Sequence, residues 1–363
     1  MSKRYVTSLS EIAELSPANL EDLKDVAEKF AFRVSRYYLD LINWHDPNDP
    51  LRRVVIPSND ELVPWGSLDA SNESEFTVTP GLQHKYSDTA LLLVNDTCGA
   101  YCRFCFRKRL FIDDNTEVVK DISEPLKYLR QHPEISNVVL SGGDPLILSE
   151  ARLRRIFEDL AAIPHVQVIR IGSKMPAFDP ISLLEHPALF DLIHELTARK
   201  SIYLMAHFNH DRELTRVAVD CLAAFRKAGA VVLNQTPLIV GVNDDPKTLG
   251  KLFQRLILAG VQPYYVFQCR PTEGNYALTL PLEKAYQIFA TAQIECSGLA
   301  RAARFVLSHT TGKIEVVGMD DSFIYMRYHR AVQHSDHGRM LVFRRNASAC
   351  WLDDYSCSPE SEV

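Results

Sequence analysis

The sequence predicts an α/β fold: a partial (β/α)6 TIM-like barrel with an N-terminal helical extension and a small C-terminal tail. Three observations predict it. From about residue 87, short apolar, β-branched runs alternate with longer amphipathic segments, the pattern of parallel strands joined by right-handed helical crossovers. There are roughly six such units, short of the eight of a complete barrel. Finally, the polar and unusual segments all fall just after the runs. An open sheet concentrates its site at one switch point between two or three strands. A barrel gathers every strand's C-terminal end around one mouth, and six loaded strand ends favour the ring.

The elements follow in order. Residues 1–86 read as the extension. Apolar residues recur at helical spacing from Asn19 to Leu41, and Asp46-Pro-Asn-Asp-Pro50 stops the pattern. A loop-rich stretch then leads to about Ser87. Residues 87–310 form the barrel, with strands expected over 90–94, 138–140, 166–171, 202–206, 231–233 and 264–267. Helix patterns lie between them, such as Leu153, Ile156, Phe157 and Leu160, or Leu214, Val217, Cys221 and Phe225. Residues 311–363 are the tail after the apolar run 305–307. There, residues 323–329 and 340–344 alternate apolar and polar side chains and predict a small hairpin.

Composition narrows the function. The chain has 363 residues, 46% hydrophobic and 24% charged, with a net charge of -6. That is ordinary for a globular protein and argues against a nucleic-acid surface. No run approaches the ~18 apolar residues of a membrane span, and Met1-Ser-Lys-Arg-Tyr lacks the apolar core of a signal peptide. The expectation is a cytoplasmic protein. Eight cysteines in this length do not make a disulfide framework. Cys221, Cys269, Cys296, Cys350 and Cys357 are scattered and read as ordinary thiols.

The other three carry the chemistry. Cys98-Gly-Ala-Tyr-Cys102-Arg-Phe-Cys105 follows the first barrel strand. Iron–sulfur clusters are normally held by four Cys. Three thiolates bind three irons of a [4Fe–4S] cluster and leave the fourth open to chelate a substrate. A closed zinc site would need a fourth ligand or a second knuckle, and none is present. One βα unit later comes Ser141-Gly142-Gly143-Asp144-Pro145. Two glycines after a strand allow close backbone approach, and their N–H groups suit a carboxylate.

These residues resemble the radical S-adenosylmethionine enzymes, specifically the lysine 2,3-aminomutase family. The likeness extends in order through Pro50-Leu-Arg-Arg53, His84-Lys-Tyr86, the cysteine loop with Phe106-Arg107-Lys108-Arg109, Ser141–Pro145, Arg170-Ile-Gly-Ser173, His207-Phe-Asn209-His210, Asn234-Gln235, Gly241-Val-Asn-Asp244 and Gln268-Cys269. It covers about residues 50–318 and implies a radical SAM partial barrel. It also implies a radical isomerase that cleaves S-adenosylmethionine to a 5'-deoxyadenosyl radical. That radical takes a hydrogen from an amino acid held as an imine to pyridoxal 5'-phosphate, and the amino group moves to the neighbouring carbon.

The resemblance implies the site residues. Cys98, Cys102 and Cys105 ligate the cluster. Ser141, Gly142, Gly143, Asp144, His207 and Asn209 line the S-adenosylmethionine site. Lys313, in Ser308-His-Thr-Thr-Gly-Lys313, carries pyridoxal phosphate, and Arg107 grips the substrate carboxylate. On the phosphate side the family's arginine–tyrosine pair falls on Lys85 and Tyr86, and a second family arginine falls on Thr89. Two family aspartates that hold a lysine ammonium fall on Arg270 and near Ser308. Charge inversion at Arg270 predicts an anionic or neutral substrate such as glutamate, unless Arg270 points elsewhere. His207 and His210 are lining residues rather than a metal pair. Expected partners are a small-molecule amino-acid substrate and an electron donor such as flavodoxin or ferredoxin, with no nucleic acid and no membrane; a homo-oligomer is compatible with the sequence. Rival readings are a radical enzyme without pyridoxal phosphate, an enzyme preparing lysine for a translation factor, and a non-enzymatic cluster sensor.

Overall fold

The computed structural model describes residues 3–112 and 115–356. An antiparallel pair, β1 (Tyr5–Val6) and β2 (Val34–Ser35), stands apart from a twelve-stranded sheet. That sheet begins with two antiparallel strands, β3 (Thr77–Thr79) and β4 (Leu82–Tyr86). Seven parallel strands follow: β5 (Thr89–Asn95), β6 (Asn137–Gly142), β7 (Val168–Ser173), β8 (Ser201–Ala206), β9 (Val231–Pro237), β10 (Gln262–Phe267) and β11 (Arg304–His309). Three antiparallel strands end it: β12 (Gly312–Met319), β13 (Phe323–Ala331) and β14 (Met340–Arg344). Spatial order equals sequence order, as in a barrel, and the ladder stays open between β3 and β14. The fold is thus the expected partial barrel with one more parallel strand, since the run 305–307 lies in β11 and pairs with β10.

The pleat divides each barrel strand between two environments. In β6, Val138 and Leu140 are fully buried against the outer helices, while Val139 and Ser141 border an interior cavity. In β7, Ile169 and Ile171 face outward and Arg170 and Gly172 inward. The helix Glu150–Ala161 answers with Leu153, Ile156, Phe157 and Leu160. Each such side chain contributes roughly 2 kcal/mol on burial. The tail shares this core through Ile314, Val316, Ile324, Met326 and Trp351. The boundary drawn at residue 310 falls inside the two-residue turn between β11 and β12, and the expected hairpin is β13 with β14.

The N-terminal segment departs from the long helix read between Asn19 and Leu41. Short helices Pro17–Asp22 and Lys24–Lys29 give way to extended chain through β2, and a third helix follows at Arg36–Leu39. The break has local causes. β2 pairs with β1, the Arg33 carbonyl accepts from Tyr101 N–H, and the Ser35 hydroxyl caps the next helix at Tyr38 N–H. The loop-rich stretch also holds the helix Pro50–Val55, and its end is β3 and β4 of the main sheet.

A second core forms where this segment crosses the mouth. Val26, Phe30, Tyr38, Leu51 and Val54 pack with Ala100 and Phe104 of the cysteine loop and with Phe178, Ile239 and Val242 of other barrel loops. The join is locked by Arg103. Its guanidinium donates to both oxygens of Glu61 at 2.8 Å and to the Ala31 carbonyl at 3.1 Å, with Arg103 and Glu61 both under 5% exposed. Glu61 also meets the buried Lys108 amine at 3.5 Å, so removing Arg103 would leave its charge with one longer contact in place of three hydrogen bonds. Arg103→Met should therefore lower unfolding free energy by about 3 kcal/mol, read in denaturant titrations, and the variant should retain less iron on anaerobic reconstitution.

Candidate active site

The C-terminal ends of the strands surround a cavity of about 370 Å³. Cys98, Cys102 and Cys105 all border it, half-buried and free of disulfides. The loop carrying them is clamped from outside: Arg33 Nε donates to the Cys98 carbonyl at 2.8 Å, Arg103 N–H bonds the Val54 carbonyl, and Asn275 Nδ2 reaches the Phe104 carbonyl at 3.1 Å. Burial raises all three thiols above their ordinary range. Among the described residues no group of three His, Cys, Asp or Glu converges on one point as for a single ion. A four-iron cluster places each thiolate on a different iron and asks for no such convergence. Cys357 lies outside the described residues.

The glycine turn borders the cavity and packs against the chain that leads into the cysteines. Gly142 has φ +114, and a Cβ there would sit 2.3 Å from the Asn95 carbonyl. A Cβ on Gly143 would meet Thr97 backbone at 2.4 Å. Gly143 N–H bonds the Asn95 carbonyl and Asp144 N–H the Thr97 carbonyl. Gly142 and Gly143 border the cavity, but they are small so that the chain leading into the cysteines can lie against them. Asp144 is likewise committed: its carboxylate accepts from Leu146, Lys174 and Met175 N–H and from Ser173 Oγ, tying β6 to β7. Burial pushes that carboxyl up to about 6 against those donors.

The histidine segment splits. His207 borders the cavity, and burial with the Lys174 cation holds it well below the usual imidazole range. His210 turns away and accepts from Arg212 N–H. Asn209, expected at the cofactor, is wholly buried behind the wall. Its amide is consumed by Lys174 Nζ at 2.7 Å and Thr236 Oγ1 at 2.8 Å, and the same ammonium bonds Glu213 at 2.7 Å. Asn209 positions the wall instead of lining it.

Arg107 reaches the cavity already paired. Its Nε and Nη2 grip Glu73 at 2.9 and 2.8 Å, and Nη1 donates to Ser141 Oγ at 2.9 Å. Arg109 also donates to Glu73 at 2.7 Å, and Arg270 stands 3.9 Å away, within ion-pair reach but too long for a hydrogen bond. Burial opposes ionisation of Glu73, yet Arg107, Arg270 and Arg109 outweigh it and hold the carboxyl far below its ordinary range. Sequence gave no sign of Glu73, whose partners lie 34, 36 and 197 residues away. Arg270 points inward: its guanidinium lies 3.6 Å from the Phe106 ring centre, and Nη1 is buried without a hydrogen bond.

Lys313 sits in β12 rather than in a loop, opposite Ser308 of β11. Its amine rests on the Tyr265 and Phe267 rings at 4.2 and 5.3 Å. Burial, followed by the charges of Arg330, Arg170, Arg270 and Lys85, lowers its pKa to about 7. Lys85 Nζ donates to the His309 carbonyl at 2.6 Å, and burial and Arg270 lower it to about 8. Tyr86 and Thr89 border the same end.

Comparison with known proteins fits this arrangement. No family model matches the chain. A protein of Aquifex aeolicus named "Putative L-lysine 2,3-aminomutase" is 52% identical over 355 residues, 97% of this chain and 95% of that one. The L-lysine 2,3-aminomutase of Fusobacterium nucleatum is 32% identical over 93% of this chain and 79% of its own length. That of Escherichia coli is 36% identical over 71% and 75%. The chain belongs to the lysine 2,3-aminomutase family. Among solved structures, a radical SAM methyltransferase from Sphaerobacter thermophilus superposes with a TM-score of 0.42 at 18% identity, over 66% of this chain and 70% of that one.

The cofactors of the lysine 2,3-aminomutase family are a [4Fe–4S] cluster, S-adenosylmethionine and pyridoxal phosphate, and the donor set fits them. Three free thiols share one wall. A lysine amine poised near neutrality shares the cavity with Lys85, Tyr86 and Arg170. Among the described residues, Gln83 Nε2, Arg170 Nε and Arg270 Nη1 are buried donors without a hydrogen bond, all on residues bordering the cavity. Such orphans call for an acceptor. Because the neutral amine is the nucleophile, Lys313 reactivity should rise with pH through about 7, well below an ordinary lysine. Competitive acetylation with peptide mass spectrometry should show that midpoint.

Proposed function

We propose that the protein is a radical SAM 2,3-aminomutase using pyridoxal phosphate on Lys313 and acting on an amino acid other than free lysine. The observation that carries this reading is a single cavity shared by the three cysteines, the buried Lys313 amine and a surplus of cations. When bound, the cluster with S-adenosylmethionine supplies the hydrogen-abstracting radical, and pyridoxal phosphate supplies the carrier for the migrating nitrogen. An external one-electron donor of the flavodoxin or ferredoxin class feeds the cluster.

The chain's own residues bind, orient and shield. Lys313 offers a neutral amine. Arg107 offers the substrate carboxylate its Nη1 arm together with the Ser141 hydroxyl, a narrower grip than a free fork because Glu73 holds the other two nitrogens. The N-terminal segment covers the cysteine loop and helps exclude water from the radical.

Arg270 selects the side chain. Its one nearby carboxylate, Glu73, is shared with Arg107 and Arg109. A substrate ammonium at ~4 Å from this guanidinium would be repelled by roughly 4 kcal/mol at an effective dielectric near 20. A carboxylate would be attracted by as much, and glutamate has that chemistry. Relatives carry lysine in their names, and Arg270 is what sets this chain against that substrate. The test is a screen of amino acids for β-isomers with the anaerobically reconstituted, reduced enzyme. Glutamate or a neutral amino acid should be converted, and Arg270→Asp, which turns an attraction of roughly 4 kcal/mol into a repulsion, should cut turnover of glutamate about a thousandfold or more. Turnover of free lysine in preference to glutamate would overturn the side-chain reading. Failure to cleave S-adenosylmethionine at all would overturn the whole.

A further inference from the structure

The resemblance implies a cation at the position of Thr89, whose side chain borders the cavity uncharged. The structure brings another from the far side of the open sheet. Arg330 of β13 is the direct ladder partner of Lys313 in β12, so the two side chains leave the same face. The register breaks next to this pair: Ile314 pairs with Tyr328, leaving His329 as an extra residue. Such bulges re-aim side chains beside functional sites.

Arg330 crosses to β4 and β5. Its guanidinium stacks on the Tyr86 ring at 4.2 Å, and Nη2 bonds Asp88 and lies 3.4 Å from Thr89 Oγ1. Arg170 of β7 approaches the same hydroxyl at 3.4 Å, and its Nε is buried without a partner. Arg330 faces Lys313 across the ladder, with Arg170 and Lys85 bordering the same cavity. Among the described residues the one carboxylate bonded to Arg330 is Asp88, whose side chain is 54% exposed. A cationic nest with an orphaned donor, beside a reactive lysine, is built for a multiply charged anion.

We propose that Arg330 and Arg170, with Lys85 and Tyr86, anchor the phosphate of the pyridoxal cofactor and supply the charge that Thr89 lacks. The proposal rests on the cofactor reading above and gives the β12–β13 pair of the C-terminal tail a function. The phosphate then joins the two ends of a sheet whose ladder does not close.

The experiment titrates pyridoxal phosphate and its dephosphorylated analogue pyridoxal into the full chain, freed of bound pyridoxal compounds, and follows absorbance. Arg330→Ala should weaken pyridoxal phosphate about tenfold or more and leave pyridoxal unchanged. Inorganic phosphate should compete with the cofactor in the wild type and less in the variant. Adding Thr89→Arg to Arg330→Ala should restore affinity. Asp88→Asn, which breaks the ion pair but keeps the guanidinium, should retain it. If Arg330→Ala fails to fold, Arg330→Gln serves in its place. Equal weakening of both compounds, unchanged affinity, or a loss in Asp88→Asn as large as in Arg330→Ala would overturn the proposal. A wild type that binds neither compound yet cleaves S-adenosylmethionine would overturn the cofactor reading itself.

Discussion

A barrel that leaves its interior open forfeits the layers of side chains that ordinarily fill one. Val139, Ser141, Arg170, Gly172 and Gln235 occupy the inward positions and border space instead of one another. Cohesion has to come from elsewhere. The outer helices supply most of it, burying the alternate residues of every parallel strand. The mouth is held by a second, separate core and by polar ties such as Arg103–Glu61. The same openness sets the electrostatics. Side chains that a packed interior would exclude can stand inside it, desolvated but unpaired, and desolvation is the main cause of the lowered pKa at Lys313 and Lys85.

The cysteine loop shows how sequence, approach and placement connect. Gly142 and Gly143 have no side chains, so backbone at Asn95 and Thr97 can lie against them. Asn95 fixes that contact by donating to the Thr97 and Asp144 carbonyls. Asp144 carries the tie onward to Ser173 and Lys174, and Lys174 onward to Asn209 and Glu213. Three strand ends and the cluster loop thus share one hydrogen-bonded frame. Residues that looked like ligands in the sequence are partly the frame that holds ligands in place.

This explains what was legible beforehand. Spacing within a few residues survives folding, so Cys98, Cys102 and Cys105, and the strand–helix alternation, were readable. Lys313 was placed by its order after the last parallel strand, although its backbone proved to be strand. Three things had no local signal. Glu73 matters because loops far apart in sequence bring three guanidiniums to it. Arg330 alternates with apolar neighbours like any surface residue of a hairpin, and only its ladder pairing with Lys313 reveals it. Asn209 looked functional in a polar strand end, but a buried ammonium had a prior claim on its amide. The long N-terminal helix failed because Arg33 and Ser35 find backbone partners in the cysteine loop and the next helix, a tertiary override of propensity.

Charge ties the site together. Arg109 is balanced by Glu117 and Glu73, Arg107 by Glu73, and Arg330 in part by Asp88. Lys85, Arg170, Arg270 and Lys313 remain without a full counter-charge of their own. A fold keeps such a surplus in a desolvated cavity only at a cost, and that cost is removed by anions that enter. Arg270 lies with Glu73 and Phe106 and Arg330 with Tyr86 and Thr89, and the charges of both guanidiniums reach Tyr86 and Lys313. On the proposed reading, the cofactor phosphate and the substrate carboxylate are the anions that would offset this surplus, which ties the charge of the cavity to what it binds.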